Sequence, residues 1–366
     1  MKAALNAMSS DRLGLEGEFK EAELPLLVRR AGMAEWDDGV VRILDRRALP
    51  LSEKYIECET TEEVAVCIED MVIQGAFSLA IAAGYGLALT DPDSPNIQAA
   101  IHSGAARLIK TRPTGLALQR MMSACLQCAD DAILAGENPT EAIVATVDHA
   151  AATLARQSWK TGQRAAELLE DGTSILTHCF PDRSYVYLLM EAAKAGKTLN
   201  VICSETRPYL QGARLTSLCA IQAGFSATVI TDGMGGFLMR RGDIGAFVSA
   251  ADRVCMDGTV CNKIGTYQYA LAARAHDIPY YALRQSGPDT ESAGEADIEV
   301  EMRSGDELLM LGGERTAPHG VTGLYPAFDI TPPELVTAIV TDRGVFASSK
   351  INTYIDAEPF VTDAIL

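Results

Sequence analysis

The sequence predicts an α/β protein, with a mostly helical N-terminal domain followed by a doubly wound parallel sheet. Three observations predict it. From Ser174 onward short apolar strands alternate with helical stretches, the residues before them carry helical periodicity, and polar stretches rich in glycine and cationic residues follow the apolar runs. Strands and helices alternating in this way build a parallel sheet covered on both faces. At 366 residues the chain exceeds the size at which one core keeps growing, so two domains are expected.

Taken in order, residues 1–31 show only a charged segment from Glu16 to Glu23 and are expected to form an N-terminal arm. Residues 32–150 make the mostly helical domain. Val41 to Leu44 alternates like a strand, and Thr60 is placed to cap a helix with Glu62 and Glu63 in its first turn, ahead of Val64, Ile68, Met71 and Val72. Ala76 to Leu89 is almost wholly small and apolar, which fits a helix buried all round. Thr111-Arg112-Pro113-Thr114 breaks one helix and starts the next, and long helical segments follow from Leu116 to Ala135 and from Thr140 to Asp171.

Residues 151–366 are expected to form a Rossmann-like domain. Its strands are Ser174 to Thr177, Leu199 to Cys203, Ala227 to Thr231, Ala246 to Ala250 and Pro279 to Leu283. The fingerprint G-x-G-x-x-G is missing from the first strand-helix junction, which argues against a dinucleotide site. Gly233-Met234-Gly235-Gly236 is expected to form a flexible turn beside the site.

Charge and composition exclude several classes. With 31 basic against 49 acidic residues the formal charge is −18, which repels nucleic acid and anionic membrane. No run of apolar residues is long enough to suggest a membrane span. Nine cysteines, mostly in apolar contexts, and no charged-then-apolar leader point to the cytoplasm. Cys125 and Cys128 form a lone C-x-x-C inside a helical run and are expected to be core residues.

Ligands of open α/β sheets collect at the carboxyl ends of the strands, where three segments of this chain carry chemistry. Cys179 ends the strand of Ser174 to Thr177 and precedes a helix from Ser184 to Ala195. Amide groups at that helix start, with Arg183 a turn along, are expected to lower the thiol pKa. Asp252 follows the strand ending at Ala250, where a partly desolvated carboxylate holds its proton near neutral pH and suits general acid–base work. Asn262-Lys263-Ile264-Gly265-Thr266 is expected to open another helix. The loop Ser204 to Thr216 packs Arg207, Gln211, Gly212 and Arg214 between a strand and a helix.

These motifs resemble those of the methylthioribose-1-phosphate isomerases, a family whose superfamily also holds ribose-1,5-bisphosphate isomerases and the regulatory subunits of initiation factor 2B. The matching text is Trp36-Asp37-Asp38-Gly39, Glu205-Thr206-Arg207-Pro208, Gln211 to Thr216, Ala251-Asp252-Arg253, Asn262 to Thr266 and Pro326 to Pro332. The resemblance implies a cofactor-free, metal-free, homodimeric enzyme of methionine salvage that converts a 5-substituted ribose 1-phosphate to the ketose. It assigns catalysis to Cys179 and Asp252 and binding of the sugar phosphate to Gln74, Gly75, Ala76, Arg112, Gln211, Asn262 and Lys263. An isomerase of another pentose 1-phosphate, such as 5-deoxyribose 1-phosphate, and a non-catalytic sugar-phosphate or nucleotide sensor are the alternatives. Retention of both Cys179 and Asp252 argues against a sensor.

The chain also departs from the family. Gln74 stands where members usually carry arginine, Phe77 and Ala80 where they carry proline and glycine, and Phe180 where asparagine follows the cysteine. Ser204 replaces a common aspartate and Ala250 a glycine. These changes are expected to reshape the phosphate pocket.

Overall fold

The computed structural model describes residues 19–361 and 364–366. They divide into two compact units, one running to Arg156 and taking in the chain from Val361, the other spanning Gln157–Phe360.

In the first unit, β1 (Ala34–Asp37) and β2 (Val40–Leu44) form a hairpin that turns through Asp38 and Gly39, both with positive φ, and β3 (Tyr55–Cys58) completes an antiparallel sheet. The helix α1 (Thr61–Glu69) starts with the cap that the sequence predicts. Thr60 accepts the Glu63 N–H while the Glu63 carboxylate accepts the Thr60 N–H, so two donors of the first turn are satisfied. Next, α2 (Ala76–Ala88) buries Phe77, Ala80, Ile81, Ala83, Tyr85 and Leu87 in the core. Around it α3 (Ile97–Thr111), α4 (Leu116–Ala135) and the start of α5 (Pro139–Glu167) bring apolar stripes that include Ile101, Leu108, Met121, Met122, Cys125, Val147 and Leu154. Of residues 1–31, those from 19 are described: Leu24, Leu27 and Val28 are buried, and Arg30 donates to the Tyr85 hydroxyl at 2.7 Å and pairs with Asp148.

The second unit begins within α5 and continues as β4 (Ser174–Thr177), α6 (Asp182–Lys194), β5 (Asn200–Ser204), α7 (Ser217–Gln222), β6 (Ser226–Ile230), α8 (Gly235–Arg241) and β7 (Ala246–Ala250). After β8 (Arg253–Val254) and β9 (Val260–Lys263) come α9 (Thr266–Ala275) and β10 (Tyr280–Leu283). A loop region follows with two short ribbons, β11 (Met302–Arg303) against β14 (Tyr325–Pro326) and β12 (Met310–Leu311) against β13 (Glu314–Arg315). Then β15 (Phe328–Thr331) pairs with β9, and β16 (Ala338–Val340) and β17 (Val345–Ala347) finish the main sheet.

Among the described residues the main sheet has seven strands in the order β17-β16-β10-β7-β4-β5-β6, all parallel except β17. The fold class is therefore the one the sequence predicts. Side chains alternate between two cores, with Ile175, Val201 and Val248 facing α5, α6 and α7, and Leu176, Phe247 and Ala282 facing α8 and α9. The chain steps outward from β4 through β5 to β6, then returns to the other side of β4 with β7. The crevice between β4 and β7 is thus the topological switch point, where this architecture places ligands.

Local structure differs from the sequence reading in three places. Asn262 and Lys263 lie on the antiparallel strand β9, and the helix opens only at Thr266. Gly235 starts a helix instead of completing a flexible turn, and its packing against Tyr269 leaves no room for a Cβ. The segment Gly212–Thr216 is a π turn ahead of α7.

Gly212 itself is dictated by a close approach: a Cβ there would lie 1.7 Å from the Ser204 carbonyl oxygen. Gly212→Ala is expected to lower stability by about 1–3 kcal/mol, as overpacking against unyielding backbone does. Urea unfolding checks it, and an unchanged midpoint would contradict this packing.

Candidate active site

The carboxyl edge of the second unit gathers Cys179 after β4, the loop from Glu205 after β5, Asp232 after β6 and Asp252 after β7. Strand β9 adds Asn262 and Lys263. Cys179 and Asp252 flank the switch point on neighbouring strands. The charge of Lys263 acts on both of them, drawing the thiol and the carboxyl toward their ionised forms.

Burial opposes that pull and wins. It pushes the half-buried Cys179 thiol up to about 11, with Asp252 and Asp232 adding to the rise, against Lys263 and the Phe180 N–H. The expected depression of this thiol pKa is therefore corrected. Enclosure by protein outweighs the helix start, and the nearby carboxylates disfavour a thiolate. For Asp252 the surrounding protein raises the carboxyl above its usual range, with Lys263 and Arg284 holding it back. Its side chain stays accessible to solvent, and the neighbouring Arg253 turns instead to Asp289 at 4.0 Å, Ser292 and the Asp297 carbonyl.

Behind the cysteine lies a buried polar network that the sequence reading did not assign. His178 donates from Nε2 to the Ile264 carbonyl at 2.7 Å, and its Nδ1 lies 3.1 Å from the Ser204 hydroxyl oxygen. Burial lowers the His178 pKa and keeps the ring neutral. The Ser204 hydroxyl also meets the Asp232 carboxylate and the Tyr269 hydroxyl. Asp232 accepts the Thr206 and Arg207 N–H groups at 2.8 Å each. A carboxylate directly after the β6 strand was the one sequence signal available for it.

Other candidates fall into place around this edge. Gln211 is buried at the start of the π turn. The Asn262 amide donates to Thr266 Oγ1 at 2.9 Å, and Lys263 Nζ sits 4.5 Å above the Phe328 ring. Asp329 caps α9 by accepting the Gly265 N–H at 2.6 Å and the Tyr267 N–H at 3.1 Å, and burial raises its carboxyl to about 6. Arg207 and Arg214 spend donors on backbone: Arg207 on the Leu308 and Met310 carbonyls, Arg214 on the Tyr209 carbonyl. A cleft of about 450 Å³ opens beside them, lined by Arg207, Asp232, Tyr267, Gln268, Leu308 and Tyr325 among others. Among the described residues no cluster of three or more His, Cys, Asp or Glu side chains is placed to hold a metal, and no helix is long and apolar enough to cross a membrane.

Gln74, Gly75, Ala76 and Arg112 belong to the first unit. Gly75 takes a φ of +94° and Ala76 opens α2, whose start carries no side-chain cap. Gln74 is buried and donates to the Met71 carbonyl at 3.3 Å, while Arg112 donates to the Met71 sulfur, so the two meet around Met71. Sequence reasoning missed Arg46. Fully buried, it donates to the Gln74 carbonyl, to Gly32 O at 3.0 Å and to Ser78 Oγ at 3.2 Å. Arg46 thus brings a guanidinium against the loop that carries Gln74.

Fold and site together define an α/β enzyme-like scaffold with acid–base groups at a switch point. The initiation factor 2 subunit family matches residues 72–348. The methylthioribose-1-phosphate isomerase of Thermotoga neapolitana is 38% identical over 331 residues, covering 85% of this chain and 93% of that protein. Among solved structures, 5-methylthioribose 1-phosphate isomerase from Pyrococcus horikoshii superposes with a TM-score of 0.79 at 32% identity, covering 92% of this chain and 98% of that one. The translation initiation factor eIF-2B subunit delta from A. fulgidus gives a TM-score of 0.72 at 35% identity, covering 86% and 95%. The chain belongs to the methylthioribose-1-phosphate isomerase family of enzymes, within the initiation factor 2 subunit family.

Moving the guanidinium from position 46 to position 74 tests whether this loop can exchange one charge for the other. Gln74→Arg places a further guanidinium between Arg46 and Arg112, and the melting temperature is expected to fall by roughly 5 °C or more. Arg46→Gln added to Gln74→Arg is expected to recover most of that loss. Thermal unfolding of the wild type, both single variants and the double variant decides it; strictly additive losses would rule the exchange out.

Proposed function

We propose that this chain isomerises a 5-substituted ribose 1-phosphate, methylthioribose 1-phosphate, to the ketose 1-phosphate, with Cys179 and Asp252 as the proton-transfer pair. One observation carries the reading: Cys179 and Asp252 end adjacent strands on either side of the switch point, under the shared charge of Lys263. The names of the relatives supply the substrate.

The chemistry follows from the substrate. A phosphate on the anomeric oxygen blocks opening through a free hemiacetal, so the bond between C1 and the ring oxygen must break with acid assistance. Asp252, whose carboxyl is pushed above its usual range, is the group that gives a proton to that ring oxygen. Hydrogen then moves from C2 to C1, either as a hydride within the substrate or as a proton that the thiolate form of Cys179 takes from C2 and returns to C1, and the C2 hydroxyl gives its proton to the carboxylate left on Asp252 by ring opening. Cys179, held largely as the thiol at neutral pH, serves as the second proton carrier. Lys263, whose charge acts on both groups, holds substrate oxygens, aided by Gln211 and Asn262. Gln74, Gly75, Ala76 and Arg112 keep the phosphate role that the family resemblance implies for them.

Cys179→Ser and Asp252→Asn are each expected to lower kcat by about 10²–10⁴-fold while substrate binding stays within about tenfold, because both groups act on the transition state. Steady-state kinetics and calorimetric binding measure the two effects. Turnover within tenfold of wild type in either variant removes that residue from the mechanism.

A cytoplasmic homodimer completes the proposal. Among the described residues the cysteines form no disulfides, as in a reducing compartment, and Ile221, Val229 and Phe237 leave apolar surface exposed on and around the edge strand β6. Sedimentation is expected to give twice the chain mass at micromolar concentration; a monomer would oppose it.

A further inference from the structure

Non-glycine residues with left-handed backbone concentrate at the proposed site. Cys179 has φ +62°, Asp182 +61°, Thr206 +64° and Leu210 +60°. Such conformations are strained for residues with a Cβ, most of all for a β-branched threonine, and they persist only where the surroundings hold them. At Cys179 the holding groups are visible. Its N–H donates to Thr206 Oγ1 at 2.9 Å, and its carbonyl accepts from the Thr216 hydroxyl at 2.6 Å. Thr206 is in turn fastened by its N–H to Asp232, and Thr216 closes the π turn whose first residue, Gly212, is pressed against Ser204.

We infer that Thr206 and Thr216 are positioning residues, whose hydroxyls clamp the Cys179 peptide on both sides and keep it left-handed, fixing where its thiol stands at the switch point. The inference rests on the assignment of Cys179 as a catalytic residue. With either hydroxyl gone, a buried N–H or C=O loses its partner, and the strained cysteine relaxes toward an ordinary backbone conformation. That relaxation carries Sγ away from its place, and small misplacements of a reacting group are costly in rate.

The test compares Thr206→Val, Thr206→Ser, Thr216→Val and Thr216→Ser with the wild type and with Cys179→Ser. Each valine variant is expected to lower kcat by about 10²-fold with KM within about threefold, and each serine variant to stay within about threefold of wild type. Site-resolved labelling by iodoacetamide gives a second readout: in the valine variants Cys179 is expected to react faster at pH 8 than in the wild type, while the remaining cysteines keep their rates. General loosening of the fold would accelerate several buried cysteines together. If one valine variant fails to fold, the pair at the other threonine carries the same comparison.

Wild-type kcat in the valine variants, alongside an inactive Cys179→Ser, overturns the inference and leaves the proposed function standing. Serine variants as impaired as the valine ones also overturn it, since the hydroxyl is then not the acting group. An active Cys179→Ser defeats the catalytic assignment instead, and selective acceleration of Cys179 labelling in the valine variants then still registers the clamp.

Discussion

The Asp232 carboxylate anchors the loop on which the rest of the site depends. It takes two backbone N–H groups from Thr206 and Arg207 and the hydroxyl of Ser204, and so fastens the chain leaving β5 to the chain leaving β6. Thr206 passes that constraint to Cys179, and Ser204 passes it to His178 and Tyr269. In a buried setting such bonds gain strength from low dielectric, and a missing partner is costly, so the network acts as a unit. Ser204 brings a hydroxyl and no carboxylate to this network. Here the carboxylate arrives from the neighbouring strand, and the hydroxyl bridges it to the imidazole.

Local electrostatics run against the charge of the whole chain. A formal charge of −18 sets a field that repels anions, yet the switch point holds Lys263, with Arg284 close enough to influence Asp252. Cys179 and Asp252 are shifted the same way, both toward their protonated forms, because the surrounding protein costs their charged forms more than these cations return. Shifts in this direction favour the proton-carrying forms, which suits the proposed opening of a sugar ring that has no free anomeric hydroxyl.

In the first unit the same economy of charge is met differently. Arg46 brings a guanidinium to the Gln74 carbonyl from a loop distant in sequence, and the backbone ahead of α2 is shaped around it. A buried cation is tolerated there because its donors meet carbonyl and hydroxyl partners.

Much was legible in the sequence because it depends on neighbours along the chain. Apolar runs marked β4, β5, β6, β7 and β10, the Thr60 and Glu63 spacing marked the cap of α1, and residues just past strand ends marked Cys179 and Asp252 as candidates. The placement of Asn262 and Lys263 on a strand was not legible, since β9 exists through pairing with β15, more than sixty residues onward. Nor were the left-handed backbone at Cys179 and Thr206, the Asp232 anchor, or Arg46 beside Gln74, for each joins residues from separate segments. By itself the sequence determined the alternating α/β order and which chemical groups stand at the strand ends. Only the tertiary structure decided how those groups are held and which protonation state they favour, because strain, burial and hydrogen-bond partners arise where distant segments meet.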